Sequence, residues 1–133
     1  MNYFQKKSPV RWLFTLITLA ALVVGLWYAS NPKLANTSIS PRHVYRVEYY
    51  DASLIQRIIH HDMKMPTFVR LYRNDPEVLL GESQVVDMWM NGQLYWWFDP
   101  PLNVVQVGRD VVFEGIPPEC TDCPKLPESA YRP

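Results

Sequence analysis

The chain has 133 residues, 13 basic and 13 acidic side chains, and a formal net charge of zero at pH 7. This length allows one small folded domain and excludes two independent cores. Because ten basic and all 13 acidic residues follow position 29, that part carries a net charge of −3, which excludes nucleic acid as an expected partner.

An uncharged apolar run covers residues 12–29. As a helix, 18 residues extend about 27 Å, close to the hydrocarbon thickness of a thin bilayer. Indole and phenol rings favour the headgroup level, and such rings stand at both ends of the run. The pattern predicts a transmembrane anchor bounded by Arg11 and Trp12 on one side and by Trp27 and Tyr28 on the other.

Basic residues lie mainly before this run. Three precede it, whereas Lys33 is the only one in the twelve positions that follow. Since basic flanks stay in the cytoplasm, we expect residues 1–11 to be cytoplasmic and the rest to lie outside. This predicts a single-pass protein of a bacterial inner membrane with a periplasmic domain. A cleaved secretory signal is the alternative, although Tyr28 or Lys33 would then occupy a position that requires a small side chain.

Composition divides the outer part into three segments. Residues 30–42 are rich in Asn, Pro, Ser and Thr and favour a linker. Residues 43–116 carry the apolar patterns of a domain. Residues 117–133 hold five of the 12 prolines, which favours an extended, loosely held tail.

Within the domain, the patterns predict a strand, a helix and then a run of strands. Residues 44–50 alternate as a half-buried strand does. Ser53 and Gln56 fit a capping box for a short amphipathic helix that reaches about Asp62. Further strands are predicted at 67–73, 77–80, 84–90, 93–98, 104–107 and 111–113. Short connections favour an antiparallel β-meander, so the fold class is α+β with one short helix and one N-terminal transmembrane helix.

Asn91-Gly92 separates two β-prone runs and predicts a two-residue hairpin turn. In that register, Asp87, Trp89, Leu94 and Trp96 share one face. The opposite face carries Val86, Met88, Tyr95 and Trp97. A charged group is costly to bury unpaired, so the first face is the expected partner-binding patch and the second the core. Burial of both faces, against the helix or the tail, is the alternative.

Cys120 and Cys123 are the only cysteines. Outside the cytoplasm they are expected to form a disulfide, while a metal site or a redox role are the alternatives. His60 and His61 fit the end of the short helix, where its dipole favours them. No catalytic set or phosphate loop is recognisable, so neither an enzyme activity, a cofactor, a metal nor a small-molecule substrate is predicted.

In its layout, one anchor followed by a small acidic domain, the chain resembles small membrane-anchored bacterial immunity proteins. That resemblance implies a protein-binding module that neutralises a toxin acting in the periplasm. An accessory subunit of a secretion or division complex is the second hypothesis. A thiol or metal protein that uses Cys120 and Cys123 is the third.

Overall fold

The computed structural model describes residues 9–99 and 101–132, in two compact units that divide between Asn31 and Pro32. The predicted fold class is confirmed, because one long apolar helix precedes antiparallel sheets and a short helix. The expected cytoplasmic segment lies, up to residue 8, outside the described residues.

The first unit is a single helix, α1, Pro9–Ser30. It has 22 residues, is long and apolar enough to cross a membrane, and contains no buried residue. Thr15 and Thr18 donate hydroxyl hydrogen bonds of 2.8 Å to carbonyl oxygens of the preceding turn, which hides their polar groups. This helix is therefore a candidate membrane span.

The second unit contains two antiparallel sheets and one short α-helix. Consecutive strands pair antiparallel in the orders β1-β2-β3-β4 and β6-β7-β8, as a meander does. The single predicted meander is nevertheless divided into two sheets, and β5 departs from it because it pairs with β3 and not with β4. The elements are β1 Lys33–Ile39, β2 Tyr45–Asp51, α2 Leu54–Ile59, β3 Pro66–Arg73, β4 Val78–Glu82, β5 Val86–Asp87, β6 Leu94–Trp97, β7 Val104–Val107, β8 Val111–Glu114 and a 3-10 helix Glu128–Tyr131.

Strand β1 lies in the segment that was expected to be a linker. It pairs with β2 from Lys33↔Asp51 to Ile39↔Arg46, so residues 33–39 belong to the sheet and the linker assignment is wrong. The strand occupies a sheet edge and nearly all its side chains are exposed. An edge strand of this kind needs no apolar alternation, and its sequence therefore carries no burial signal.

The capping box is confirmed at the start of α2. The Ser53 hydroxyl accepts the Gln56 N–H at 3.3 Å, and the Gln56 side chain accepts the Ser53 N–H at 2.9 Å. The helix ends at Ile59, earlier than the predicted Asp62. None of its residues is buried, so the apolar stripe that predicted the helix does not pack on the core.

The predicted Asn91-Gly92 hairpin is wrong. β5 pairs with β3 and β6 pairs with β7, so the two runs belong to different sheets. Asn91 is buried, and its amide accepts the Arg109 N–H at 2.9 Å and donates to Asp110 at 2.6 Å. The side chain stabilises a turn 18 residues away.

The second predicted hairpin, β7–β8, is present. Gly108 begins its turn at φ +60°, a conformation that favours glycine. A Cβ at Gly108 would collide with the backbone oxygen of Asn91, so the turn also requires glycine sterically.

The core lies between the inner faces of the two sheets. Buried residues alternate with less buried ones in β2, β6 and β7, and Gly81 leaves room for the Phe113 ring, which a Cβ there would approach to 2.8 Å. The buried cluster consists of Tyr45, Val47, Val69, Leu71, Met88, Leu94, Trp96, Phe98, Val105, Val107, Val111 and Ile116.

Candidate binding groove

The four residues predicted to form a binding patch do not share a surface. Trp96 is 2% exposed and Leu94 is 4% exposed, so both belong to the core and this part of the prediction is wrong. Trp89 is 55% exposed, as a surface residue should be. The prediction failed because β5, which carries Asp87, does not pair with β6. The position of Asp87 therefore does not indicate which face of β6 is exposed to solvent.

Asp87 itself organises backbone. Its carboxylate accepts the N–H groups of Trp89 at 3.0 Å, Lys64 at 3.1 Å and Met65 at 3.0 Å. These hydrogen bonds, that from Trp89 foremost, lower the pKa of Asp87 because they stabilise the carboxylate. The Asp87 carboxylate is thus engaged in hydrogen bonds within the domain.

The outward face of β6 carries the aromatic pair that was expected in the core. The rings of Tyr95 and Trp97 stack with centroids 5.7 Å apart, and both residues are partly exposed. The Arg132 guanidinium lies 5.4 Å from the Trp97 ring centroid, a cation–π contact from the C-terminal segment. Of the residues expected on that face, Met88 alone is buried.

A groove of about 350 Å³ lies beside Trp97. β6 is an edge strand, because β7 pairs with it on one side and no other strand of the described residues pairs with it on the other. The C-terminal segment forms the facing wall. Its lining residues include Arg42, Trp97, Leu102, Glu119, Lys125 and Arg132.

Long-range contacts fix the C-terminal segment, contrary to the expectation of a loosely held tail. The Glu119 carboxylate accepts the Arg42 N–H at 3.0 Å and the Val44 N–H at 3.4 Å. The Arg42 guanidinium donates to the carbonyl of Pro124. The Tyr45 hydroxyl donates to the Pro117 carbonyl at 2.8 Å. The groove wall is therefore attached to the β1–β2 connection.

Cys120 and Cys123 lie at disulfide-bonding distance, with Cα atoms 5.6 Å apart, as predicted. Both line the groove, and the residues that follow them are not helical. A redox CxxC is normally activated at a helix N-terminus, so this setting favours a bond that shapes the wall. Among residues 9–99 and 101–132, no group of three His, Cys, Asp or Glu side chains could hold a metal ion.

Charges of both signs surround the groove. Arg42, Lys125 and Arg132 line it together with Asp99, Glu119 and Glu128. Lys125 and Asp99 form an exposed ion pair at 3.2 Å, which contributes little stability and remains available to a ligand. Leu102, 56% exposed, adds an apolar side chain at the edge. A surface that mixes aromatic, aliphatic and charged groups suits a protein segment.

The strongest ion pairing lies elsewhere, on the outer face of the first sheet. Burial raises the pKa of Glu48, but hydrogen bonds from Tyr50 and Arg46 outweigh it, so the net pKa is lowered. Arg70 pairs with Glu82 and lies 4.8 Å from the Tyr50 ring centroid. These side chains pair with one another, and such cross-strand pairs stabilise the sheet.

The predicted ends of the anchor all lie in α1. Arg11 and Trp12 belong to its first turn, and Trp27 and Tyr28 to its last turn. Sequence reasoning missed the groove, because neither the docking of the C-terminal segment nor the open edge of β6 leaves a local pattern.

Comparison with known proteins gives no relative from which a function could be transferred. No protein-family model matches the chain, and neither a curated protein nor a solved structure shows significant similarity.

Proposed function

We propose that this protein is a membrane-anchored binding module that takes a segment of a partner protein into the groove beside β6. The observation that carries the proposal is the groove of about 350 Å³ that the end of the edge strand β6 and the C-terminal segment line together. An edge strand offers backbone N–H and C=O groups to an added strand, while neighbouring pockets select side chains. Trp97 and Leu102 supply apolar contacts, and the exposed pair Lys125 and Asp99 supplies charge.

The proposed location is the bacterial periplasm, with α1 as the anchor in the inner membrane. Support comes from the apolar length of α1 and from the three basic residues before it. Alkaline phosphatase fused after Pro32, ahead of β1, should be active if this orientation is correct. Activity of a cytoplasmic reporter at the same position would contradict it.

Within this class, neutralisation of a toxin that acts in the periplasm is the narrower proposal. It is supported by the small anchored layout and by a net charge of −3 after position 29, which suits a basic partner. A toxin gene beside the coding gene would favour it. A neighbouring secretion or division operon would favour an accessory subunit instead.

The groove can be tested with a photo-crosslinking amino acid at Leu102 in the full chain. Val112 is the matched control, because it is an aliphatic residue of similar exposure, 48% against 56%, and does not line the groove. We expect a defined protein adduct from position 102 only. The identified partner, once purified, should bind the Leu102→Asp variant at least about tenfold more weakly than Val112→Asp, a loss of about 1.4 kcal/mol. Equal binding by both variants would contradict the proposal.

A further inference from the structure

Seven large apolar side chains are exposed at one end of the domain. Exposed fractions run from 38% for Ile55 to 86% for Met90. We call this surface the apolar cap; it consists of Leu54, Ile55, Ile58, Ile59, Met65, Trp89 and Met90. Large apolar side chains that are exposed at the same end of a domain favour a contact surface over ordinary solvent exposure.

Hydrogen bonds hold the parts of the apolar cap together. Asp87 accepts N–H groups from Met65 on one segment and Trp89 on another, at 3.0 Å each. The Ala52 N–H donates to the Pro66 carbonyl at 3.0 Å, which attaches the start of α2 to the start of β3. Helix α2 and the loop that carries Trp89 and Met90 therefore lie at the same end of the first sheet.

The chain enters β1 at this same end of the sheet. Lys33, the first residue of β1, pairs with Asp51, and Asp51 lies three residues before Leu54 in α2. Three peptide steps join Ser30, the last residue of α1, to Lys33, and such a chain reaches at most about 11 Å. The covalent connection therefore allows at most about 11 Å between Ser30 and Lys33, and Lys33 begins β1 at the end of the sheet that carries the apolar cap.

We propose that the apolar cap inserts into the headgroup region of the bilayer that α1 spans. This inference rests on the proposed anchoring by α1. Proteins attach to a membrane interface through helices that lie in the membrane plane, with aliphatic side chains in the bilayer and Trp at headgroup depth. Helix α2 and Trp89 supply these groups. Lys64, whose Nζ lies 5.4 Å from the Trp89 ring centroid, can meet lipid phosphates beside it. Because the tether is short, the effective concentration of the bilayer surface at the apolar cap is high. This favours lipid over a protein that must first diffuse to the cap.

The experiment uses the full chain, with Cys120 and Cys123 oxidised, in vesicles of phosphatidylethanolamine and phosphatidylglycerol. Single cysteines carrying a nitroxide are placed at Ile58 and Met90, which are exposed enough to accept a label, and at two reference positions. Leu19 reports on the span, and Val112, 48% exposed on β8, reports on a surface outside the cap. Collision rates with oxygen and with a water-soluble nickel complex give the depth of each label.

Labels at 58 and 90 should collide with oxygen several-fold more often, relative to nickel, than the label at 112. Water-like values at 58 and 90 with a lipid-like value at 19 would overturn the insertion and leave the anchor intact. Protection of 58 and 90 from both reagents would overturn it in favour of a protein contact. A water-like value at 19 would refute the anchor itself, and with it this inference.

Discussion

Two adjacent tryptophans of β6 should respond very differently to truncation. Trp96 is 2% exposed and lies among core side chains, so Trp96→Ala should cost about 3 to 5 kcal/mol of unfolding free energy through the cavity that it leaves. Trp97→Ala loses a ring stacked on Tyr95, worth about 0.5 to 1.5 kcal/mol, and a cation contact from Arg132, worth about 0.5 to 1 kcal/mol. The expected difference is about 2 kcal/mol.

This difference is measurable by urea unfolding of the full chain in detergent micelles, followed by circular dichroism. For a small domain with an m-value of about 1 to 3 kcal/mol per molar, the two midpoints should differ by roughly 1 M. Because domains of this size are only marginally stable, Trp96→Phe is a gentler second variant. It removes no hydrogen bond, since the Trp96 Nε1 has no partner among the described residues. Equal midpoints for the two alanine variants would refute the assignment of core and surface faces.

Three further predictions follow from local geometry. Gly92→Ala should change stability by less than about 0.5 kcal/mol, because a Cβ there meets no atom within 4 Å, whereas Gly108→Ala should cost more than about 1 kcal/mol; denaturant midpoints check both, and the opposite order would restore the rejected hairpin. Replacing Cys120 and Cys123 with Ser should lower stability by about 2 kcal/mol or less, since the closed ring is short; urea midpoints measure the loss, and a loss well above this value would contradict the reasoning. Burial raises the pKa of Tyr49 to about 12. The unfolded chain releases this proton first, so stability should fall from about pH 10 to pH 12 by up to about 1.4 kcal/mol per pH unit, and the fall should be shallower in Tyr49→Phe; equal slopes would contradict this.

Sequence patterns predicted the elements whose causes are local. The capping box needs only Ser53 and Gln56, three positions apart, and both of its hydrogen bonds form. The strand at 44–50 was predictable from its own alternating pattern, which places Tyr45 and Val47 in the core. The β7–β8 hairpin was predictable because its paired residues are near neighbours in the sequence.

The failures have non-local causes. Asn91 carries the strongest turn signal in the chain, yet its side chain is taken by Arg109 and Asp110. That one error shifted the assignment of faces along β6 and placed Trp96 at the surface. The groove could not be predicted for the same reason, since its wall depends on Glu119 reaching the backbone of Arg42, 77 positions earlier.

The register of β2 determines how the two proposed surfaces are related within the domain. Asp51 ends the strand beside α2 and the apolar cap, whereas Tyr45 begins it beside Pro117 and the groove wall. Seven strand residues extend about 20 Å, so the groove and the cap lie at opposite ends of the first sheet. If the cap rests on the bilayer, the groove faces away from it, towards proteins that approach from outside. Substitutions in the apolar cap should then change membrane contact without weakening partner binding in the groove, since the two surfaces share no side chain.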